Sequence, residues 1–329
     1  MALRFVHSQL FVTLPVPKES YTGQTIIITG SNTGLGLEAA RHFTRLGAST
    51  VILAVRSLSK GEAAKSDIEA TTKRHDVIKV MHLDMSSYDS VLEFAAKCAD
   101  LPRIDIAILN AGVARGVWET AEGHESTVTV NVISTFLLAF SLLPHLIATS
   151  KQYNTKPTLS ITASEVHEYA EFVERKAPQG QLFKELDNPK DANGKDRDMG
   201  ERYQVSKLLE VLAIRAMAEK HPDVPVTINC LNPGLCHSEL SRESGWGLYI
   251  LKLLLARTSE AGSRTLVHAG SSGEESHGKY LSDCTVTEPS AFVRSQEGKE
   301  VQVRVWEELV SILEGIKEGV TKVSGEGLF

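Results

Sequence analysis

Cysteine is scarce in this chain: Cys98, Cys230, Cys236 and Cys284 are spread over 329 positions and form no CxxC pair. Such spacing indicates neither a zinc site nor a disulfide framework, so no metal is expected and a reducing, cytoplasmic compartment fits. A basic excess is missing as well. Lys and Arg number 35 against 41 Asp and Glu, a formal charge of -6, which argues against a nucleic-acid partner because nothing is spare to neutralise phosphates. Met1 to Pro17 shows no basic region followed by a hydrophobic core and a small-residue cleavage site, so no signal peptide is expected. The longest apolar stretches, Thr135 to Ile147 and Gly245 to Ala256, fall short of the roughly 18 to 20 residues that cross a bilayer, and no transmembrane segment is expected. What is present suits a large core: 42% hydrophobic and 23% charged residues allow one large α/β domain or two small ones, and no linker-like break favours two. The reading is an N-terminal extension over 1–20, a domain over 21–320 and a disordered tail over 321–329.

The β-branched run Thr25 to Thr29 passes through a glycine-rich turn into a helical pattern from Gly34 to Leu46 that stops at Gly47. The turn reads Thr29, Gly30, Ser31, Asn32, Thr33, Gly34, Leu35, Gly36. Strand, glycine turn and helix N-terminus together make a pyrophosphate cradle, because free amides and the positive end of the helix dipole meet there. A second strand, Thr50 to Val55, ends at Arg56, where an acid would bind a ribose hydroxyl and an arginine accommodates a 2′-phosphate. NADP(H) is therefore expected over NAD(H). Further strands end at Asp84, at Asn110-Ala111-Gly112 and at Ala163-Ser164. Their alternation with helices predicts a parallel sheet covered on both faces, with ligands beyond the carboxyl ends of the strands.

Asn131 lies inside a long helical run, where its side chain competes for backbone hydrogen bonds, so its presence needs a reason. Tyr203 and Lys207 open another helix, Arg202 to His221, and stand four residues apart, so phenol and ammonium face the same way. A cation beside a phenol favours proton exchange.

Taken in order, TGSNTGLG, NAG, Asn131, Ser164, the Tyr203–Lys207 pair and Asn232-Pro233-Gly234 resemble the short-chain dehydrogenase/reductase family. The resemblance implies a single-domain, doubly wound Rossmann fold with a parallel seven-stranded sheet. It gives Tyr203 the role of proton donor, Ser164 that of carbonyl-oxygen ligand, and Lys207 that of tuning Tyr203 and holding the cofactor ribose. Asn131 anchors a water path behind Lys207. By the same resemblance Asp84 meets the adenine edge, although it equally suits a cap for the helix starting near Ser86. Asn110, Ala111 and Gly112 let the backbone approach the cofactor. Pro233, Gly234 and Ser238, the last in place of the usual threonine, contact its nicotinamide or phosphates. Ala163 replaces the first serine of the usual pair.

The stretch between Ser164 and Tyr203 is longer than in compact members, and residues 165–200 are read as an insert at the site entrance, largely loop. Its apolar members are open to covering substrate or packing over helices. It resembles inserts of the retinol-dehydrogenase-like and carbonyl-reductase-like branches, some of which cover the dimerising helices, and this favours a monomer over a dimer. Residues 239–257 occupy the position of the family's substrate lid. Val166, His167, Leu240, Trp246 and Tyr249 are the candidate substrate contacts, and the lid's apolar content predicts a bulky, largely apolar small molecule. The implied reaction is NADPH-dependent reduction of a ketone or aldehyde, or the reverse oxidation of an alcohol. The segment Gln9 to Pro15 looks like fungal reductases that tailor secondary metabolites. A membrane-associated retinoid or steroid dehydrogenase and a non-catalytic NADP(H) sensor are the alternatives.

Overall fold

Eight short runs, all but one of them carrying β-branched residues, lie side by side in one sheet, where successive residues of a strand point to opposite faces and helices cover both. The computed structural model describes residues 2–191, 193–237 and 255–323. Its strands are β1 (Thr25–Thr29), β2 (Thr50–Val55), β3 (Ile78–His82), β4 (Ile106–Leu109), β5 (Thr158–Thr162), β6 (Thr227–Asn232), β7 (Tyr280–Ser282) and β8 (Thr285–Thr287). They stand in the order β3-β2-β1-β4-β5-β6-β7-β8. The first seven in that row are parallel, and Ile27 sits beside Ile52 on one side and Ala107 on the other.

Neighbouring residues of β1 feed two separate cores. Ile27 joins a cluster with α4 (Tyr88–Cys98), α5 (Ser126–Tyr153), α6 (Met199–Lys220) and α8 (Gln296–Ile316). Ile26 and Ile28 join the other, with α2 (Gly34–Arg45), α3 (Leu58–Thr72) and α7 (Ser259–Ser271). This is the doubly wound α/β architecture the sequence predicts, with one difference. An eighth strand, β8, returns antiparallel to β7 through Asp283 and Cys284, both at positive φ (52° and 59°). Those angles make the tight two-residue turn whose twist matches a hairpin. Three residues are too few to show periodicity, which hid the strand in the sequence.

Other expectations shift too. The extension contains a helix, α1 (Ala2–Phe11), tied down where Ser8 Oγ donates to Asp283 and Arg257 donates to the Ser8 carbonyl, each at 2.7 Å. The described start of the tail is held rather than loose, because the Thr321 amide donates to Glu314 at 2.9 Å. Residues 324–329 lie outside the described residues. The apolar stretch expected to be too short for a bilayer belongs to α5, whose 28 residues suffice by length and composition. Its most apolar window is 78% buried inside the protein, as befits a core helix.

The insert is folded, not an open loop. It forms short 3₁₀ turns at Glu165–Tyr169 and Val173–Lys176 and a helix at Leu182–Leu186. Phe172, Leu182, Phe183 and Leu186 are buried against the α6 and α8 layer. Its apolar residues thus chose helix packing over substrate, while Tyr169 and Val173 stay exposed. Polar latches reinforce this: Glu174 lies 3.1 Å from Arg202 and 3.5 Å from Arg197. Arg304 of α8 donates to the carbonyls of Arg175 (2.6 Å), Ala177 (2.5 Å) and Pro178 (3.2 Å). Hydrogen bonds from a charged donor contribute about 1.5–3 kcal/mol. Arg304→Ala is therefore expected to lower stability by about 2 kcal/mol in denaturant melts and to make residues 171–190 the first point of proteolysis. An unchanged cleavage pattern would show that the insert is held without Arg304.

Candidate active site

The carboxyl ends of β1 and β4 are fastened together by one side chain. Thr29 Oγ1 accepts from the amides of Asn110 (2.9 Å) and Ala111 (2.8 Å), and Asn110 Nδ2 returns a bond to the Thr29 carbonyl at 3.0 Å. The glycine turn packs onto this joint. Gly30 has φ +66°, and a Cβ there would lie 3.0 Å from Ala111 Cα. At Gly36 a Cβ would come within 2.8 Å of Asn110 Nδ2 and of the Gly30 carbonyl oxygen, so the turn closes only without a side chain.

The turn fits a pyrophosphate on an observation independent of motif. Side chains of Ser57, Ser87, Asp198, Thr258 and Ser295 cap α3, α4, α6, α7 and α8, whereas Thr33 at the start of α2 makes no such bond. The amides of that first turn are left for an anion. Asn32, Thr33, Gly34 and Leu35 are half-buried along it, and Arg56 stands exposed just beyond β2. Ser31 departs from expectation: it is fully buried and its hydroxyl donates to the Ile28 carbonyl at 2.8 Å, so it shapes the turn from inside. Asp84 accepts from the amide and hydroxyl of Ser86 at 3.0 and 2.7 Å. The helix cap itself is Ser87, one residue beyond the expected start.

At the other end of the site β5 delivers Ser164 and α6 delivers Tyr203 and Lys207. Ser164 Oγ accepts from the Val166 amide at 3.3 Å, and its hydroxyl is one of the influences that lower the Tyr203 pKa. Lys207 Nζ lies 5.8 Å from the centre of the Tyr203 ring. The ammonium is buried and donates to the Thr162 carbonyl (2.8 Å) and to both carboxylate oxygens of Glu210 (2.8 and 3.1 Å). Burial opposes the charge on Lys207, but Glu210 and then Tyr203 outweigh it and raise its proton affinity. For Tyr203, burial raises the pKa, Lys207 pulls it down and Glu210 pushes it up again. The net direction is upward, so in the cofactor-free protein the phenol keeps its proton.

Asn131 sits in a five-residue π segment, Thr129–Ile133, a departure from α geometry that recurs at functional sites. Its amide clamps both backbone groups of Val113 (2.8 and 2.9 Å) and donates to Ser206 Oγ at 2.9 Å. A Cβ on Gly112 would stand 3.2 Å from Asn131 Oδ1 and 3.7 Å from Lys207 Nζ, which brings the NAG loop, Asn131 and Lys207 into one cluster. Asn232 Oδ1 accepts from the amides of Glu165 and Gly234, each at 3.0 Å, and so locks the Pro233-Gly234 loop to the residue after Ser164.

His167 is not a substrate contact. It is 1% exposed, with Nδ1 2.7 Å from the Ser164 carbonyl, Nε2 accepting from the Ser290 amide at 3.1 Å and its ring edge-on to Tyr280. Burial lowers its pKa, consistent with a neutral ring that donates from one nitrogen and accepts at the other. Val166 stays half-buried beside Ser164. Ser238, Leu240, Trp246 and Tyr249 lie outside the described residues. Cys236 is buried, and its sulfur would lie 2.3 Å from a Cβ on Gly262, a packing role. Among the described residues no group of three or more His, Cys, Asp or Glu could hold a metal ion.

Comparison with known proteins settles the lineage. A family model described as short chain dehydrogenase matches residues 24–154. The chain is 56% identical over 322 residues to short chain dehydrogenase/reductase dmxR8 of Cryptosporiopsis sp. (strain 8999), covering 96% of this chain and 98% of that one. This protein belongs to the short-chain dehydrogenase/reductase family. It is also 45% identical over 331 residues to short-chain dehydrogenase anuD of Penicillium roqueforti (strain FM164), covering 97% of this chain and 85% of that one. The RhlG/NADP active-site complex of Pseudomonas aeruginosa shares the fold, with a TM-score of 0.61 at 19% identity over 80% of this chain and 95% of that one. As an oxidoreductase of this family, the chain brings to its site one residue that the motif reading passed over, Glu210, and gives Asn232 of the Asn232-Pro233-Gly234 motif a role that reading did not assign, the lock on its own loop. Asn232 was legible as a polar residue closing a buried strand. Glu210 was legible from spacing, since 203, 207 and 210 share one helix face.

Proposed function

We propose that this protein reduces a ketone or aldehyde on a bulky, largely apolar small molecule with NADPH, and that in the reverse direction it oxidises the alcohol. The observation that carries the reading is the convergence of Ser164, Tyr203 and Lys207 at the carboxyl edge of the sheet, with Lys207 Nζ 5.8 Å from the centre of the Tyr203 ring and bonded to the Thr162 carbonyl at the end of β5. When bound, the nicotinamide supplies the hydride. The chain's own residues do the rest. Ser164 donates a hydrogen bond to the substrate oxygen and stabilises the charge that grows there. Tyr203 releases its proton to that oxygen, a general-acid contribution of about 10² to 10⁴ in rate. Lys207 steadies the phenolate left behind and presents its ammonium to the cofactor ribose, while Asn131 fixes the Val113 backbone and Ser206 beside it.

Arg56 supports NADP(H) over NAD(H), because it is an exposed cation where a 2′-phosphate would reach, and the RhlG complex holds NADP on the same fold. Asp84 keeps a half-buried carboxylate near the adenine end. The apolar substrate class rests on Leu240, Trp246 and Tyr249 in the sequence. The relatives from Cryptosporiopsis and Penicillium roqueforti support a tailoring step in fungal secondary metabolism, and the scarcity of cysteine supports a cytoplasmic setting.

The test is NADPH consumption over a panel of aromatic, polycyclic and aliphatic ketones and aldehydes, repeated with NADH. Turnover with NADPH preferred is expected. Tyr203→Phe should bind NADPH as the wild type does and lose about 10² to 10⁴ in rate. Near wild-type turnover by that variant would remove Tyr203 from the chemistry, and silence across the whole panel would favour a nucleotide sensor. A monomer is part of the same proposal. Most of α6 is buried, between the sheet, α8 and the folded insert, which leaves little of it for a partner. Light scattering is expected to give one chain mass, 35.9 kDa, and a stable dimer or tetramer would contradict this.

A further inference from the structure

Glu210 is a carboxylate only 2% exposed on a helix whose neighbours Leu208, Leu209, Val211 and Leu212 are apolar and buried. A buried charge carries a desolvation cost of several kcal/mol, and a hydrophobic residue in its place is often no less stabilising. Stability alone therefore does not account for an acid here. Its place does: Glu210 follows Lys207 by one helical turn, on the side away from Tyr203, and both of its oxygens accept from Nζ. With the Thr162 carbonyl as third partner, the ammonium is fixed from behind while Tyr203 stands in front.

We propose that Glu210 is a positioning residue of the proton-transfer site: it holds the Lys207 ammonium in place, and its negative charge keeps Tyr203 in the proton-bearing form that carbonyl reduction consumes. This rests on the function proposed above and assigns the pair a preferred direction. A lone buried ammonium beside Tyr203 would draw the phenol towards phenolate, the form suited to alcohol oxidation. With Glu210 ionised, Tyr203 instead faces an ammonium–carboxylate pair, and the pull is largely cancelled. Tyr203 and Lys207 titrate as a coupled unit, and that unit gives up its proton at lower pH once the neighbouring anion is gone, whichever of the two loses it.

Other groups facing the pair do not interfere. Cys230 on β6, the titratable group that acts on Lys207 besides Glu210 and Tyr203, is pushed far up by burial and stays a thiol. Burial raises the Glu210 carboxyl to about 7, with Lys207 opposing. The ion pair is thus complete above that pH and reduces to a lone ammonium below it.

The experiment compares Glu210→Gln and Glu210→Asp with the wild type in full-length protein. One readout is the pH profile of kcat/KM for NADPH-dependent reduction. The second needs no turnover: ultraviolet titration of tyrosinate in cofactor-free protein, with Glu210→Gln/Tyr203→Phe assigning the signal. In Glu210→Gln the basic limb and the Tyr203 titration are both expected to move towards acid by about one unit or more, and Glu210→Asp should restore most of the wild-type position. Unmoved titration in folded Glu210→Gln would overturn the proposal. Should that variant not fold, Lys207→Met against Lys207→Met/Glu210→Met gives the same comparison: tyrosinate forming at lower pH in the double variant supports the charge effect, and equal titration overturns it. If the wild type reduces no carbonyl, the proposed function fails while the tyrosinate arm still decides the role of Glu210.

Discussion

A cation held inside a protein is the constraint on which this site depends. Lys207 is buried, and an ammonium away from water keeps its charge only when partners replace the water. The chain provides them from two elements: the Thr162 carbonyl at the end of β5 and the Glu210 carboxylate one turn along α6. Those partners fix more than the ammonium. They dock the first turns of α6 against the end of β5, and this places Tyr203 beside Ser164.

The rest of the sheet is arranged to support that meeting point. Thr29 and Asn110 join the ends of β1 and β4, and the glycine turn closes on them without room for side chains. Asn232 ties the Pro233-Gly234 loop to Glu165. Asn131, in its π segment, pins Val113 and Ser206. The first two joints link the carboxyl end of one strand to its neighbour and the third ties the loop after β4 to α6, so the nucleotide cradle and the proton donor share one edge. The insert contributes from outside by covering α6 and α8, and its latches leave the site itself to the strand ends.

Much of this was legible in the sequence, and the reasons differ by element. Strands β1 and β2 were read with their observed ends because a β-branched run that stops at a glycine or a charge has one reading. The glycine turn, Ser164, Tyr203 and Lys207 were legible because their chemistry needs those residues in that order. Other features depend on contacts between distant parts of the chain. His167 reads as a site residue from its position and is a packed core histidine, because its partners Ser290 and Tyr280 come from more than a hundred residues away. The insert's charges and prolines read as loop, whereas four apolar residues and Arg304 fold it onto the helices. β8 is too short to show a period, and the anchors of α1 and β8, Arg257 and the Asp283-Cys284 turn, appear only in three dimensions.

The central claim is that one edge of the sheet holds both the cofactor and the proton donor. A crystal structure with NADP⁺ bound tests it most directly. The account predicts the pyrophosphate on the amides at the start of α2, the 2′-phosphate at Arg56, and the nicotinamide ribose between Tyr203 and Lys207. A nucleotide bound with its nicotinamide away from Tyr203, or with Lys207 still turned wholly to Glu210 and out of reach of the ribose, would contradict it.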